Sequence, residues 1–278
     1  MKVSFADFDL PKQLNSALEK LGISEPTPIQ LKSFSPIMSG KDVMGIAQTG
    51  TGKTLAYLLP VLKTWKYNKN GSPTVLILVP TRELVVQVAE VVEKLTEDMS
   101  TRVLGVYGGV NINTQKLLVY EGVDILVGTP GRVMDLMKDA VLNLKDLKKL
   151  IIDEFDEMLS LGFRRQLEDI FTMMSERRQN ILFSATMTDD VDAMLDEYFK
   201  NPQSAIPVKN FNTKLNLLVH LLRTQDEFEK ILIFANNKRH ADLIFNKIDE
   251  EFPGEFGVIH SNKSQNFRLR TMKSFSDN

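Results

Sequence analysis

Cysteine is absent from this 278-residue chain, so neither a disulfide nor a thiolate-bound metal can form. That absence fits a reducing compartment, and a cytoplasmic location is the expectation. Histidine is scarce. The only three, His220, His240 and His260, read as surface or helix-end residues rather than a metal site. No uninterrupted apolar run approaches the length of a bilayer span, and the first residues lack a signal-peptide core. No membrane association is therefore expected. A large excess of one charge is missing too. A formal net charge of −2 makes no global basic field, so any nucleic-acid affinity has to come from a local groove. Low-complexity tracts and short internal repeats are also lacking.

What is present is a chain that is 43% hydrophobic, enough for one large domain or two smaller ones with real cores. Its most informative stretch is Ala47-Gln48-Thr49-Gly50-Thr51-Gly52-Lys53-Thr54. An apolar run, Val43 to Ile46, precedes it, and a helical pattern starting at Leu55 follows. Strand, glycine-rich turn, Lys-Thr and helix together form the context of a phosphate-binding loop. The glycines let the turn curl until backbone N–H groups point inward at phosphate oxygens. The positive end of the following helix faces the same anion. Lys53 adds a mobile charge for the outer phosphates, and Thr54 offers a hydroxyl to magnesium. The bland alternative is a glycine-rich turn that happens to precede Lys-Thr.

Strand-like runs alternate with amphipathic helical patterns along the chain. The expected strands are 74–80, 102–107, 124–128, 149–153 and 180–184; the expected helices are 83–95, 113–120, 131–136 and 164–174. Val75 to Val79 and Leu150 to Ile152 are apolar without alternation, which suits parallel strands covered on both faces. An α/β domain with helices on both sides of a parallel sheet is expected, with ligands beyond the carboxyl ends of the strands. The pattern changes near Asn201-Pro202. A connector is expected over 203–211, then a helix at 214–222, a strand at 231–235, a helix at 239–250 and a strand at 256–259. This is the opening of a second α/β unit, and its 65 or so residues are too few for a complete domain like the first.

Asp153-Glu154-Phe155-Asp156 follows the strand Leu150 to Ile152. Two adjacent carboxylates at a strand end are costly unless a cation or donor compensates them, and magnesium on ATP is the natural compensator. In that reading Asp153 holds the metal and Glu154 orients and polarises the attacking water. An acidic helix N-terminus is the plain alternative. Other short segments end strands or open helices: Pro26 to Gln30, Pro80-Thr81-Arg82, Gly108-Gly109, Thr129-Pro130-Gly131-Arg132 and Ser184-Ala185-Thr186. Each alone is an ordinary turn former.

As an ordered set the segments are specific. The chain resembles the DEAD-box ATP-dependent RNA helicases of superfamily 2, over essentially its whole length. The resemblance implies two RecA-like domains, ATP with Mg2+ as the cofactors, and RNA held by its backbone without sequence preference. It does not name a protein partner. It divides the chain into an ATP-binding helicase domain over 1–204, with the adenine-reading segment at about 3–31, a linker over 205–213 and a partial second helicase domain over 214–278. Gln30, Thr27 and Phe5 map onto that adenine-reading segment. An amide can bond two edges of adenine while a ring stacks on its face. Phe8 is the competing ring. By the same resemblance, Lys53, Asp153 and Glu154 are catalytic, and residues 47–54 hold the nucleotide. The RNA-backbone contacts are Pro80, Thr81, Arg82, Gly108, Gly109, Thr129, Pro130, Gly131, Arg132 and, in the tail, Arg268. Ser184 and Thr186 couple the ATP state to RNA grip, through Asp156 or Asp153.

Two departures stand out. The acidic segment reads Asp-Glu-Phe-Asp where the family has Asp-Glu-Ala-Asp. No His-Arg-x-Gly-Arg segment occurs, so the family's later motifs and arginine finger are expected to lie beyond Asn278. Residues 1–278 alone are then expected to hydrolyse ATP poorly. A nucleotide- and RNA-binding fragment with little turnover, and a DNA helicase or unrelated phosphate-loop ATPase, are the alternatives.

Overall fold

The structure is a computed structural model describing residues 4–48, 50–199, 203–204, 215, 218–219, 222–223, 231–235 and 238–277. It divides into two compact units, the first ending at Pro207 and the second beginning at Val208.

In the first unit seven parallel strands form one sheet in the order β3-β4-β2-β5-β6-β1-β7. They are β1 (Val43–Ile46), β2 (Val75–Leu78), β3 (Val103–Val106), β4 (Ile125–Gly128), β5 (Lys149–Ile152), β6 (Gln179–Ser184) and the short β7 (Gln203–Ser204). The helices are α1 (Lys12–Lys20), α2 (Pro28–Met38), α3 (Lys53–Thr64), α4 (Arg82–Leu95), α5 (Ile112–Tyr120), α6 (Pro130–Lys138), α7 (Phe155–Ser160), α8 (Arg164–Met173) and α9 (Asp189–Tyr198). This is a RecA-like α/β fold.

β2 and β4 are apolar on both faces because two cores flank the sheet. Val75 and Ile77 of β2 enter a cluster with Leu14, Leu58, Val85 and other residues of α1 to α4. Leu76 and Leu78 of the same strand enter the opposite cluster, with Val133, Met158, Ile170 and Met194 of α6 to α9. Successive side chains of a strand point to opposite faces, so an unbroken apolar run is what a doubly covered strand requires. Close packing also explains Gly45. A Cβ there would lie 2.5 Å from the ring of Phe183 on the neighbouring β6, so only glycine fits.

Helix starts follow from capping chemistry. The Thr81 hydroxyl accepts from Leu84 N–H at 3.3 Å to open α4, and Thr188 does the same for α9, whose first turn carries Asp189, Asp190 and Asp192. Pro28 and Pro130 occupy first helical positions, where the missing N–H costs nothing.

Of the second unit, the described helices are α10 (Lys238–Glu251) and α11 (Gln265–Asp277). The strands expected at 231–235 and 256–259 are a correction: both segments are described, and neither pairs into a ladder among the described residues. A strand exists only through its neighbours' hydrogen bonds, and apolar composition cannot supply them. Leu232 and Phe234 are exposed instead. Residues 205–213 lie outside the described residues, and so does most of the helix expected at 214–222.

Candidate functional site

The strand order sorts the chemistry. One half of the sheet, β3-β4-β2, carries Gly108-Gly109, Thr129 to Arg132 and Pro80 to Arg82 at its carboxyl ends. The other half, β5-β6-β1, carries Asp153 to Asp156, Ser184 to Thr186 and the phosphate loop.

The loop leaves β1 at Ala47, whose N–H donates to the Ser184 carbonyl at 3.0 Å. Thr49 lies outside the described residues. The Thr51 hydroxyl donates to the Gln48 carbonyl at 2.8 Å, which tightens the turn. Gly50 and Gly52 have φ of 82° and 88°, a left-handed backbone that glycine adopts without penalty. Gly52 caps α3, and Lys53 and Thr54 form its first turn.

Lys53 is almost wholly buried. Its ammonium stands 3.7 Å from Asp153 Oδ1, an ion pair beyond hydrogen-bond length, and has no hydrogen-bond partner among the described residues. A buried ammonium in that state is an open binding site for an anion, because an unsatisfied buried charge is costly. The phosphates of a nucleotide are the group this geometry fits.

Asp153 is held from three sides. The Tyr57 hydroxyl donates to Oδ2 at 3.1 Å, the Glu154 backbone N–H donates to Oδ1 at 3.0 Å, and Lys53 lies opposite. Burial pushes its carboxyl above the usual carboxylate range, and Lys53 and Tyr57 pull it only part of the way back. Burial likewise pushes the Tyr57 phenol well above its ordinary value, and the Asp153 charge adds to that rise. Sequence reading missed Tyr57. The available signal was a tyrosine four residues after Lys53, on the same face of α3, in an otherwise aliphatic run.

Glu154 adopts φ 55° and ψ 50°, left-handed, at the head of α7. A non-glycine residue there stores roughly 1–3 kcal/mol of strain. The turn aims Asp156 at the end of β6. Its carboxylate accepts from the N–H groups of Ala185 at 3.2 Å and Thr186 at 2.9 Å, and from the Thr186 hydroxyl at 2.7 Å. Burial pushes Asp156 upward, but these hydrogen bonds outweigh it and hold the carboxyl below its usual value. The Ser184 hydroxyl donates to the Thr186 carbonyl at 2.7 Å. Phe155 is fully buried in the second core, so the ring that replaces the family's alanine is absorbed by packing.

Gln30 is buried beneath the loop. Its Oε1 accepts from Thr27 N–H at 2.9 Å, and its Nε2 donates to the Gly52 carbonyl at 3.1 Å. The Thr27 hydroxyl is buried without a partner. Phe5 and Phe8 are both buried: their rings meet edge to face at 5.5 Å, and Phe8 stacks on Phe34 at 4.2 Å.

On the other half of the sheet, the Arg82 guanidinium is exposed and pairs with Glu83 at 2.6 Å. Gly109 has φ 85°, and a Cβ on Gly108 or Gly109 would meet nothing within 4 Å. Thr129 and Pro130 are buried at the head of α6. Arg132 is also buried. Its guanidinium donates to Gln115 Oε1 at 2.8 Å and to the Val110 carbonyl at 3.0 Å, which ties the Gly-Gly turn to α6. In the second unit, Arg268 lies in the first turn of α11 and its guanidinium donates to the Gln265 side chain.

Residues 27–194 match the family model for DEAD/DEAH box helicases. The chain is 34% identical to the ATP-dependent RNA helicase DeaD of Buchnera aphidicola, with 99% of the chain and 48% of that protein aligned. It is 35% identical to the DEAD-box ATP-dependent RNA helicase CshA of Streptococcus pneumoniae, over 99% of the chain and 55% of that protein. It is 34% identical to DEAD-box ATP-dependent RNA helicase 30 of Arabidopsis thaliana, over 98% and 49%. The chain thus spans about half the length of the curated relatives it matches. No helix among the described residues is long and apolar enough to cross a membrane.

Proposed function

The chain belongs to the DEAD/DEAH box helicase family, and we propose that it is the nucleotide-driven part of an enzyme that unwinds or remodels RNA in the cytoplasm. The buried Lys53 ammonium, which faces Asp153 at 3.7 Å and makes no hydrogen bond among the described residues, carries this reading. Magnesium and ATP, when bound, supply the transferable phosphoryl group and the charge that balances the acidic segment. The loop of residues 47–54 is the nucleotide's seat: N–H groups from Gly50 to Thr54 and the Lys53 ammonium grip phosphate oxygens, while the Ala47 N–H stays on the Ser184 carbonyl. Thr54 and Asp153 are the residues suited to the metal. Glu154 takes the proton of the attacking water on its carboxylate. Gln30 and Thr27 read adenine, with Phe5 behind them. Asp156 holds Ser184 to Thr186, so a shift of the acidic turn passes to the end of β6. Pro80, Thr81, Arg82, Gly108, Gly109, Thr129, Pro130 and Gly131 offer N–H groups, hydroxyls and one exposed guanidinium, which pairs with Glu83, to an RNA backbone. Arg132 serves that surface by bracing the Gly-Gly turn. Arg268 is the contact proposed for the second unit.

A second reading is that residues 1–278 bind nucleotide and RNA but turn over little by themselves. The alignment to about half of each relative favours it. Phosphate release with saturating RNA, measured on 1–278 and on a version extended to the relatives' length, separates the two. Equal rates would dismiss the second reading. Lys53→Ala should cost nucleotide affinity. Glu154→Gln should keep binding but slow turnover, and unchanged turnover in that variant would show that the base is misassigned.

A further inference from the structure

At the amino-terminal ends of the central strands lies a cavity of about 380 Å³. It sits between the end of α3, the segment that follows it, and the first residues of β2 and β5. The phosphate loop and the segments proposed to hold RNA lie at the carboxyl ends of these strands, so this is a separate place.

Its lining is built for a particular chemistry. Trp65, Lys66 and Tyr67 follow one another on one wall, and Asp146, Lys148 and Lys149 form another. The Trp65 indole N–H is buried and has no acceptor among the described residues, a state that calls for a partner. The Tyr67 ring is 56% exposed, and the Arg102 guanidinium backs it at 5.7 Å from the centroid. Two hydrogen bonds of 2.9 Å to Asp124 fix that guanidinium, so the ring has a rigid support. Lys66 and Lys148 are exposed, and their ammonium groups make no hydrogen bond among the described residues. Lys149 is committed to Gln179 Oε1 at 2.6 Å. Asp146 opposes an anion but is tied to Asn70 at 2.9 Å and Asn68 at 3.3 Å.

We infer that this cavity is a second contact for single-stranded nucleic acid, taking one nucleotide unit with its base against Tyr67 and Trp65 and its phosphate toward Lys66 and Lys148. Aromatic faces interleaved with lysines are the arrangement that binds strands without reading sequence. A base or phosphate oxygen supplies the acceptor that the indole lacks. The volume sits at the low end of small-ligand pockets, roughly 300–1,000 Å³, which suits one nucleotide and excludes a duplex. An acidic peptide would engage the lysines but leave the rings unused. The inference does not rest on the nucleotide-site reading, since no residue is shared.

Trp65 is the only tryptophan in the chain, so its emission reports on this cavity alone. The experiment titrates a short oligouridylate into residues 1–278 without ATP and follows Trp65 fluorescence. A saturable change is expected. Tyr67→Ala should weaken the affinity read by that signal about tenfold. Lys66→Ala with Lys148→Ala should flatten its salt dependence by roughly 0.7 in the log–log slope for each phosphate lost. All three side chains are exposed, so thermal stability should be unchanged. The inference is overturned if emission stays constant while the anisotropy of a labelled oligouridylate shows binding. It is equally overturned if the change survives in the triple variant, or if polyglutamate produces the same saturable response.

Discussion

Replacing Tyr57 with Phe removes a single oxygen from the centre of the proposed nucleotide site. The ring is fully buried against Phe183 at 5.6 Å, and that packing survives the change. The Asp153 carboxylate loses its 3.1 Å hydroxyl donor. What remains is the Glu154 N–H at 3.0 Å and the Lys53 ammonium at 3.7 Å. A hydrogen bond to a charged group contributes about 1.5–3 kcal/mol net. Two effects place this one at the lower end. Two other groups still face the carboxylate, and the variant no longer buries a phenol. The expected loss is about 1–2 kcal/mol in the nucleotide-free protein. Urea unfolding followed by Trp65 emission reads the first unit directly, and at constant m-value the midpoint should fall. A double-mutant cycle with Asp153→Asn isolates the pair, and its coupling energy should also be about 1–2 kcal/mol. Strict additivity would mean that the hydroxyl and the carboxylate do not interact, and the description of Asp153 as held from three sides would be wrong.

Arg102→Ala leaves the fully buried Asp124 with only a backbone donor, and screening at the partly exposed guanidinium lowers the expected cost to about 2 kcal/mol in urea unfolding. No measurable loss would refute the structural weight given to that pair. Gln30→Ala should weaken ATP and ADP binding in calorimetry with the fold intact, and equal affinity of the unaltered chain for GTP and ATP would remove the adenine-reading role. Asp156 has a carboxyl held below its usual value, so its contribution is present above the unfolded value of about 3.9 and is lost as pH falls through the lower folded value. Asp156→Ala should flatten the acid limb of a stability–pH curve, and an unchanged limb would count against the Thr186 network.

Much of this was legible in the chain because the signals were local. The expected strands at 74–80, 149–153 and 180–184 overlap β2, β5 and β6, since doubly covered strands must be apolar throughout. The phosphate loop was readable because glycine, lysine and threonine lie within eight residues. What escaped depends on distant partners. Tyr57 and Asp153 are 96 residues apart, and nothing near either announces the other. Arg132 matches an RNA-contact segment, yet burial and the Gln115 side chain turn it inward. The 231–235 and 256–259 runs have strand composition, but pairing is a property of neighbours and not of the run itself.

The position of β1 bears on how the protein is made. Its two neighbours are β6 and β7, with Val43 opposite Ile181 and Gln203. The strand that delivers the phosphate loop is therefore synthesised first of the seven and docks only after β6 has emerged. At about 5–20 residues per second, that is a wait of roughly seven to thirty seconds with an apolar strand unpaired. During that interval the nascent chain carries its nucleotide loop without a nucleotide site. Chains arrested on the ribosome before β6 should not retain ATP, whereas chains long enough to expose it should. Binding by the shorter chains would show that the loop forms its site without the sheet.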